Sequence, residues 1–295
     1  PVMIVDFNGK ALELVKLGDI AKVKQGLATS ENSYYLRQLP NIKGSNYKEI
    51  DLSLVLKESE LEKIKKEDRL RQEVIEKGIC INPNHKTHQH RYFGGRYFVS
   101  YDKGGASDIE EGWLPNYYVS TPYFIDWSEE AVKRMKTLTI AEVRKRQGKP
   151  IPPEHEYYNT QIAAVLRNKE YYFKEGLSFS WAGYYSPTYR LNYPGPFDHG
   201  SSDILEINYD REELLAFICS KLCRLFCRCF INHTVNFGID EVKEIIIPNN
   251  SEKANYQKLK SLVSLIIESQ KQNPKYDYMT NEQIEIDKLV YAMYN

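Results

Sequence analysis

Residues 170–209 constrain this chain most, because nothing in them supports a helix. Tyr, Phe, Gly, Pro and Ser dominate, and no 3.6-residue apolar period survives. The centre of the stretch is Tyr171-Tyr-Phe-Lys-Glu-Gly-Leu-Ser-Phe-Ser-Trp-Ala-Gly183. Tyr184-Tyr-Ser-Pro-Thr-Tyr-Arg190 and Gly200-Ser-Ser-Asp203 follow it. Short strands and turns are the only regular structure this composition allows. The chemistry admits two readings. Aromatic rings, hydroxyls, glycine N–H groups and one arginine suit an extended polyanion such as DNA. The same residues also suit a Tyr-rich sheet core.

Helices flank this centre. Ser59 with Glu62 predicts a capping box for a charged helix over 59–77, ended by Gly78. Ser128-Glu-Glu predicts the start of a helix running to Gly148. Asp210-x-x-Glu213 opens an apolar helix to about residue 232. Residues 251–271 carry Tyr256, Leu259, Leu262, Val263, Ile266 and Ile267 on one stripe, and Thr280-x-x-Gln283 predicts a last helix. Those two are expected to pair across Asn273-Pro274. Strands are expected at 14–26, 32–38, 92–101, 117–125 and 244–248.

With 40 basic and 40 acidic residues the chain is neutral, which argues against a general nucleic-acid coat. A local basic face is visible in Lys133, Arg134, Lys136, Arg144, Lys145, Arg146 and Lys149. A solvated helix surface is the simpler account of most of them. Cys219, Cys223 and Cys227 fall on one helical stripe and read as buried free thiols of a cytoplasmic protein. No apolar run is long enough to span a bilayer and no secretory signal is visible, so no membrane partner is expected. The missing initiator Met points to a piece of a longer chain.

Catalytic motifs are sparse. No glycine-rich cofactor loop is present, and Asn82-Pro83-Asn84-His85 lacks the second Pro and the aromatic of a base-methylating motif. Asp240, Glu241 and Lys243 have the spacing of a Mg-dependent nuclease, a common tripeptide by chance. Cys80, His85, His88 and His90 could hold zinc or form a polar loop. No catalytic residue and no bound metal are assigned.

Taken in order, several segments resemble one family. Leu17-Gly-Asp-Ile-Ala-Lys-Val-Lys-Gln-Gly26 resembles the opening of target-recognition domains in restriction–modification specificity modules. Tyr101-Asp-Lys-Gly-Gly105, Asn116-Tyr-Tyr-Val-Ser120 and Asp126-Trp127 resemble their next segments. Asn168–Ser180 resembles the strand that reads DNA, and Arg190, Pro194 and Gly200-Ser-Ser202 follow in order. His233-Thr-Val-Asn-Phe-Gly238 before Ile245-Ile-Ile-Pro248 resembles the return into a helical spacer. The family is the C-terminal specificity domain of TaqI-like adenine-specific DNA methyltransferases, as in type IIG restriction–modification enzymes and the methyltransferases of BREX phage defence. The chain departs from it after Gly105, where Ala106-Ser-Asp-Ile-Glu replaces an aromatic, basic run.

The resemblance implies an α+β fold, a twisted and mostly antiparallel sheet with flanking helices. Residues 1–248 would be the DNA target-recognition domain and 249–295 a C-terminal helical spacer. The implied partners are double-stranded DNA and an N-terminal methyltransferase domain of the same parent chain. S-adenosylmethionine is expected for the parent enzyme and no cofactor for this part. Lys24 and Lys103, beside glycine turns, are expected on phosphate. Arg190 is expected on base edges, with a structural salt bridge as its alternative. Gln25, Thr29, Asn32, Tyr34, Gly104, Trp181, Tyr189, Ser201 and Ser202 complete the expected DNA contacts. A stand-alone nuclease and a protein–protein adaptor built on the C-terminal helices are the rival functions.

Overall fold

A computed structural model describes residues 3–7, 10–42, 46–103, 114–151, 156–181, 187–234, 236–249 and 253–294. Gly104 and the 184–186 stretch, singled out above, lie outside the described residues. The fold is α+β.

Among the described residues, eleven strands form three small sheets. They are β1 (Met3–Phe7), β2 (Lys10–Lys16), β3 (Lys22–Gln25), β4 (Leu36–Gln38), β5 (Lys48–Glu49), β6 (Phe98–Ser100), β7 (Tyr123–Asp126), β8 (Gly176–Ser180), β9 (Tyr189–Leu191), β10 (Ser201–Leu205) and β11 (Ile246–Pro248). The central sheet has the order β3-β10-β8-β9, antiparallel throughout. The others are β1-β2-β11 and β5-β4-β7-β6, the last with one parallel pair, β4 on β5. The non-helical stretch thus supplies three of the four central strands. The strands expected at 92–101 and 117–125 shrink to Phe98–Ser100 and Tyr123–Asp126.

Alternation gives the central sheet two unlike faces. Val23, Leu177, Phe179, Tyr189 and Ile204 join one apolar core with the helix Arg211–Ile218 and both C-terminal helices. Lys24, Ser178, Ser180, Arg190, Ser201 and Asp203 occupy the other face, by the cross-strand register. A second core beyond that face holds Trp127, Tyr101, Tyr172, Phe173 and Phe197.

The C-terminal helices, Lys253–Gln272 and Glu282–Ala292, touch each other and insert Leu259, Val263, Ile266, Ile286 and Val290 into the first core. Both helices therefore share a core with the central sheet.

Several caps differ from the sequence reading. Glu60, not Glu62, accepts from the N–H of Lys57, and the helix breaks at Glu67 into Glu58–Lys66 and Asp68–Lys77. The last helix starts at Glu282, and Thr280 bonds Asp277 instead of capping it. Ser128 and Asp210 do cap their helices. Each of those two helices then breaks. Thr139 restarts the first with a capping box to Glu142. Ser220 restarts the second as Lys221–Phe226.

Gly26 lets the chain leaving β3 lie close against Phe197. A Cβ there would stand 1.9 Å from the carbonyl oxygen of Phe197. That oxygen accepts from the N–H of Leu27 at 2.7 Å, so it cannot retreat freely. Gly26→Ala is expected to cost about 1–3 kcal/mol, as overpacking does. Urea unfolding measures it, and an unchanged midpoint would show that this approach is not close.

Candidate nucleic-acid interface

The residues expected to meet DNA divide into an interior set and a surface set. Arg190, Tyr189, Ser201 and Ser202 belong to the interior. Tyr189 and Ser202 point into the apolar core, and neither hydroxyl has a hydrogen-bond partner among the described residues. Arg190 is fully buried. Its Nη2 donates to both carboxylate oxygens of Asp102 at 2.9 and 2.8 Å, and its Nη1 donates to Ser180 Oγ at 3.2 Å. Ser178 Oγ donates to Asp102 Oδ2 at 2.8 Å and lies 2.8 Å from Ser201 Oγ. This corrects the expectation that Arg190 reads base edges. A guanidinium clamped by a buried carboxylate cannot reach a groove, so the salt-bridge alternative describes it.

Two more acids join this interior. Asp203 accepts from Asn192 Nδ2 at 2.9 Å, and burial pushes its carboxyl up to about 8, with Asp102 adding to the effect. Asp198 accepts from Tyr101 OH at 2.9 Å and is also raised by burial. Asp102 and Asp203 are both buried beside one guanidinium, and burial favours the neutral form of Asp203.

The surface set starts at β3. Lys24 Nζ sits 5.2 Å from the centroid of the Tyr171 ring, and no carboxylate pairs with it among the described residues. Lys103 rests between the rings of Tyr47 and Tyr123, at 5.0 and 5.1 Å. Gln25 and Trp181 come together at one end of the central sheet. With His199, Asn236, Gly238, Ile239, Asp240 and Glu241 they line an open groove of about 450 Å³. The Trp181 and His199 rings lie 5.5 Å apart, and the indole N–H has no acceptor among the described residues. Arg167 Nη1 approaches His199 Nδ1 at 3.2 Å.

From this groove the chain runs to a cationic helix. Leu27 exchanges backbone bonds with Phe197 and His199, and Ala28 exchanges two with Val165. Ser30 Oγ donates to Ala163 O, and the Ser30 carbonyl accepts from Gln147 Nε2 at 3.1 Å. Gln147 ends the helix Ile140–Arg146. Lys145 and Arg146 on it, Lys149 just beyond it and Lys133 on the preceding helix Glu129–Thr137 are exposed and form no ion pair among the described residues. Arg134 does have one. It grips Glu31 with two nitrogens and stacks 3.6 Å over Tyr34. Thr29 is buried and donates to Asn32 Oδ1, so these two side chains satisfy each other.

His199 and Asn236 escaped the sequence reading. Only the topology, which returns two distant loops to the end of β8, brings them to Trp181.

The rival sites come apart. Glu241 accepts from the Gly238 N–H and from Asn232, and Asp240 pairs with Lys243 at 2.9 Å. Glu241 thus acts as a helix cap beside the groove. Cys80 is buried and donates to Asn82 O, with its thiol pushed up by burial. His90 pairs with Glu73, while His88 stacks on His85 and is held below its ordinary value by burial and Arg91. Among the described residues no group of three such ligands could hold a metal ion. No helix there is long and apolar enough to cross a membrane.

No protein-family model matches the chain, and no curated protein matches it.

Proposed function

We propose that this chain is a double-stranded DNA recognition module, the specificity part of a site-specific adenine methyltransferase or restriction–modification enzyme. The observations that carry the reading are the open groove at Gln25, Trp181 and His199 and the exposed cations Lys145, Arg146 and Lys149 around Gln147, which bonds Ser30. Gln25 and Ser30 are five Cα–Cα steps apart, at most about 18 Å, which is within the width of one duplex. The cations would hold phosphates and fix the register. Gln25, Asn236 and His199 offer hydrogen bonds suited to base edges, and the Trp181 ring offers a stacking face.

Lys24 and Lys103 would add phosphate contacts. An aromatic seat leaves a lysine's charge available, unlike a salt bridge. Methyl transfer itself, with S-adenosylmethionine, would belong to an N-terminal domain of the parent chain, in a cytoplasmic enzyme. Neutral overall charge suits this division, because the catalytic domain would share the phosphate contacts.

Fluorescence anisotropy on a random-sequence duplex tests the reading. Converting Lys145, Arg146 and Lys149 together to alanine is expected to lower the salt slope by about 2–3 units and to weaken binding to every sequence alike. An unchanged slope would show that phosphates do not lie on this helix.

A further inference from the structure

His199 lines the groove with one ring nitrogen already engaged and the other not. Its Nδ1 meets Arg167 Nη1 at 3.2 Å. A guanidinium only donates, so Nδ1 is the acceptor and the ring hydrogen sits on Nε2. That Nε2–H has no hydrogen-bond partner among the described residues. The groove thus has a donor whose tautomer is set by a neighbouring side chain.

The setting is built before any ligand arrives. The His199 backbone N–H donates to Leu27 O at 2.9 Å, and the imidazole lies 5.5 Å from the Trp181 ring. The Arg167 carbonyl accepts from the hydroxyl of the buried Tyr172 at 2.9 Å. Asn168, the next residue, donates from Nδ2 to the Gln25 carbonyl at 2.8 Å. Short bonds therefore tie the segment carrying Arg167 both to His199 and to the strand carrying Gln25. Groups held in this way lose little freedom on binding.

Charge and polarity decide which part of a duplex fits. The formal charges on the residues lining the groove are the carboxylates of Asp240 and Glu241, and the Asp240 side chain is 92% exposed. A phosphate beside His199 would face them, whereas a base edge is uncharged. In the major groove both purines present N7 as an acceptor, with O6 or N6 beside it. The Gln25 amide carries a donor and an acceptor, so it can meet either neighbour. The O4 acceptor of thymine lies instead beside a methyl group.

Resting on the DNA reading above, we infer that His199 donates from Nε2 to the N7 of one purine in the bound site, with Arg167 as the positioning residue that holds its tautomer. Gln25 takes the adjoining O6 or N6.

The test uses the duplex enriched from a random library, with each purine replaced in turn by its 7-deaza analogue, which lacks this acceptor. Fluorescence anisotropy with the intact chain should find one purine whose replacement weakens binding roughly tenfold. His199→Phe keeps a ring against Trp181 and loses the N–H. It should weaken the unmodified site roughly tenfold, leave random duplex unaffected, and lose nothing more on the deaza duplex. Each deaza comparison is made within one protein, so a small loss of stability in the variant does not blur it. Nitrogen NMR of the neutral imidazole should place the hydrogen on Nε2 in the parent and on both nitrogens in turn in Arg167→Ala. A hydrogen on Nδ1 in the parent would overturn the assignment. If His199→Phe weakens the site and random duplex alike, or if no deaza position distinguishes it from the parent, the purine contact is wrong and DNA recognition stands. If the library enriches no site, both readings fall.

Discussion

Replacing Arg190 by alanine is expected to destabilise the fold by about 3–5 kcal/mol. The cost arises from what is left behind. Asp102 would stay buried with its carboxylate charge unbalanced, having lost two charge-assisted bonds at 2.9 and 2.8 Å. Ser180 Oγ would lose its guanidinium donor as well. Arg190→Met with Asp102→Leu removes both charges together and should recover most of the loss. Urea denaturation reads all three proteins. A loss below about 1 kcal/mol for Arg190→Ala would show that Asp102 is solvated and the pair not truly interior. The same experiment bears on base reading. A stability loss with unchanged discrimination between DNA sequences is the expected pattern, since Arg190 does not reach the surface.

Asp203 gives the second large effect, and it depends on pH. Its carboxyl is raised by burial from 3.8 to about 8 in the folded protein. The folded state therefore binds a proton that the unfolded chain has already released. Stability from this group is fully present below about pH 4, falls as pH rises, and levels off above about pH 8. One such group gives a slope approaching 1.4 kcal/mol per pH unit inside that window. The groups facing it are Asp102, Arg190, Ser178 and Asn192. Asp203→Asn keeps a neutral acceptor for Asn192 and should flatten the slope, raising stability at pH 8 relative to the parent. If parent and variant lose stability in parallel between pH 5 and 8, Asp203 is not the titrating group.

The sheet-rich centre was legible because glycine, proline and tyrosine leave no helical period between residues 170 and 209. Apolar stripes likewise marked Leu259, Val263 and Ile266 as core. Boundaries were less legible, because local caps compete at close spacing. Glu60 and Glu62 both lie within reach of the start of one helix, and only packing decides between them. The site was legible in part. Gln25 and Trp181 meet at one groove, but Ser201, Ser202, Tyr189 and Arg190 sit inside. Alternation along a strand is visible in sequence. Whether a polar face meets water or a second core is not, because that depends on what packs above it. Here Tyr101, Asp102 and Phe197 come from elsewhere in the chain to seal Arg190 in. The identity of a DNA-reading arginine cannot be told from that of a buried one until those partners are placed.

Selection from a random duplex library tests the central claim most directly. The chain is incubated with the pool, bound duplexes are recovered, and successive rounds are sequenced. The pool should converge on one short common site, protected from chemical footprinting on both strands. Gln25→Ala or Trp181→Ala should weaken binding to the enriched site more than to random DNA, by roughly 1–3 kcal/mol. A pool that stays random through every round, with no protection on any duplex, would contradict it.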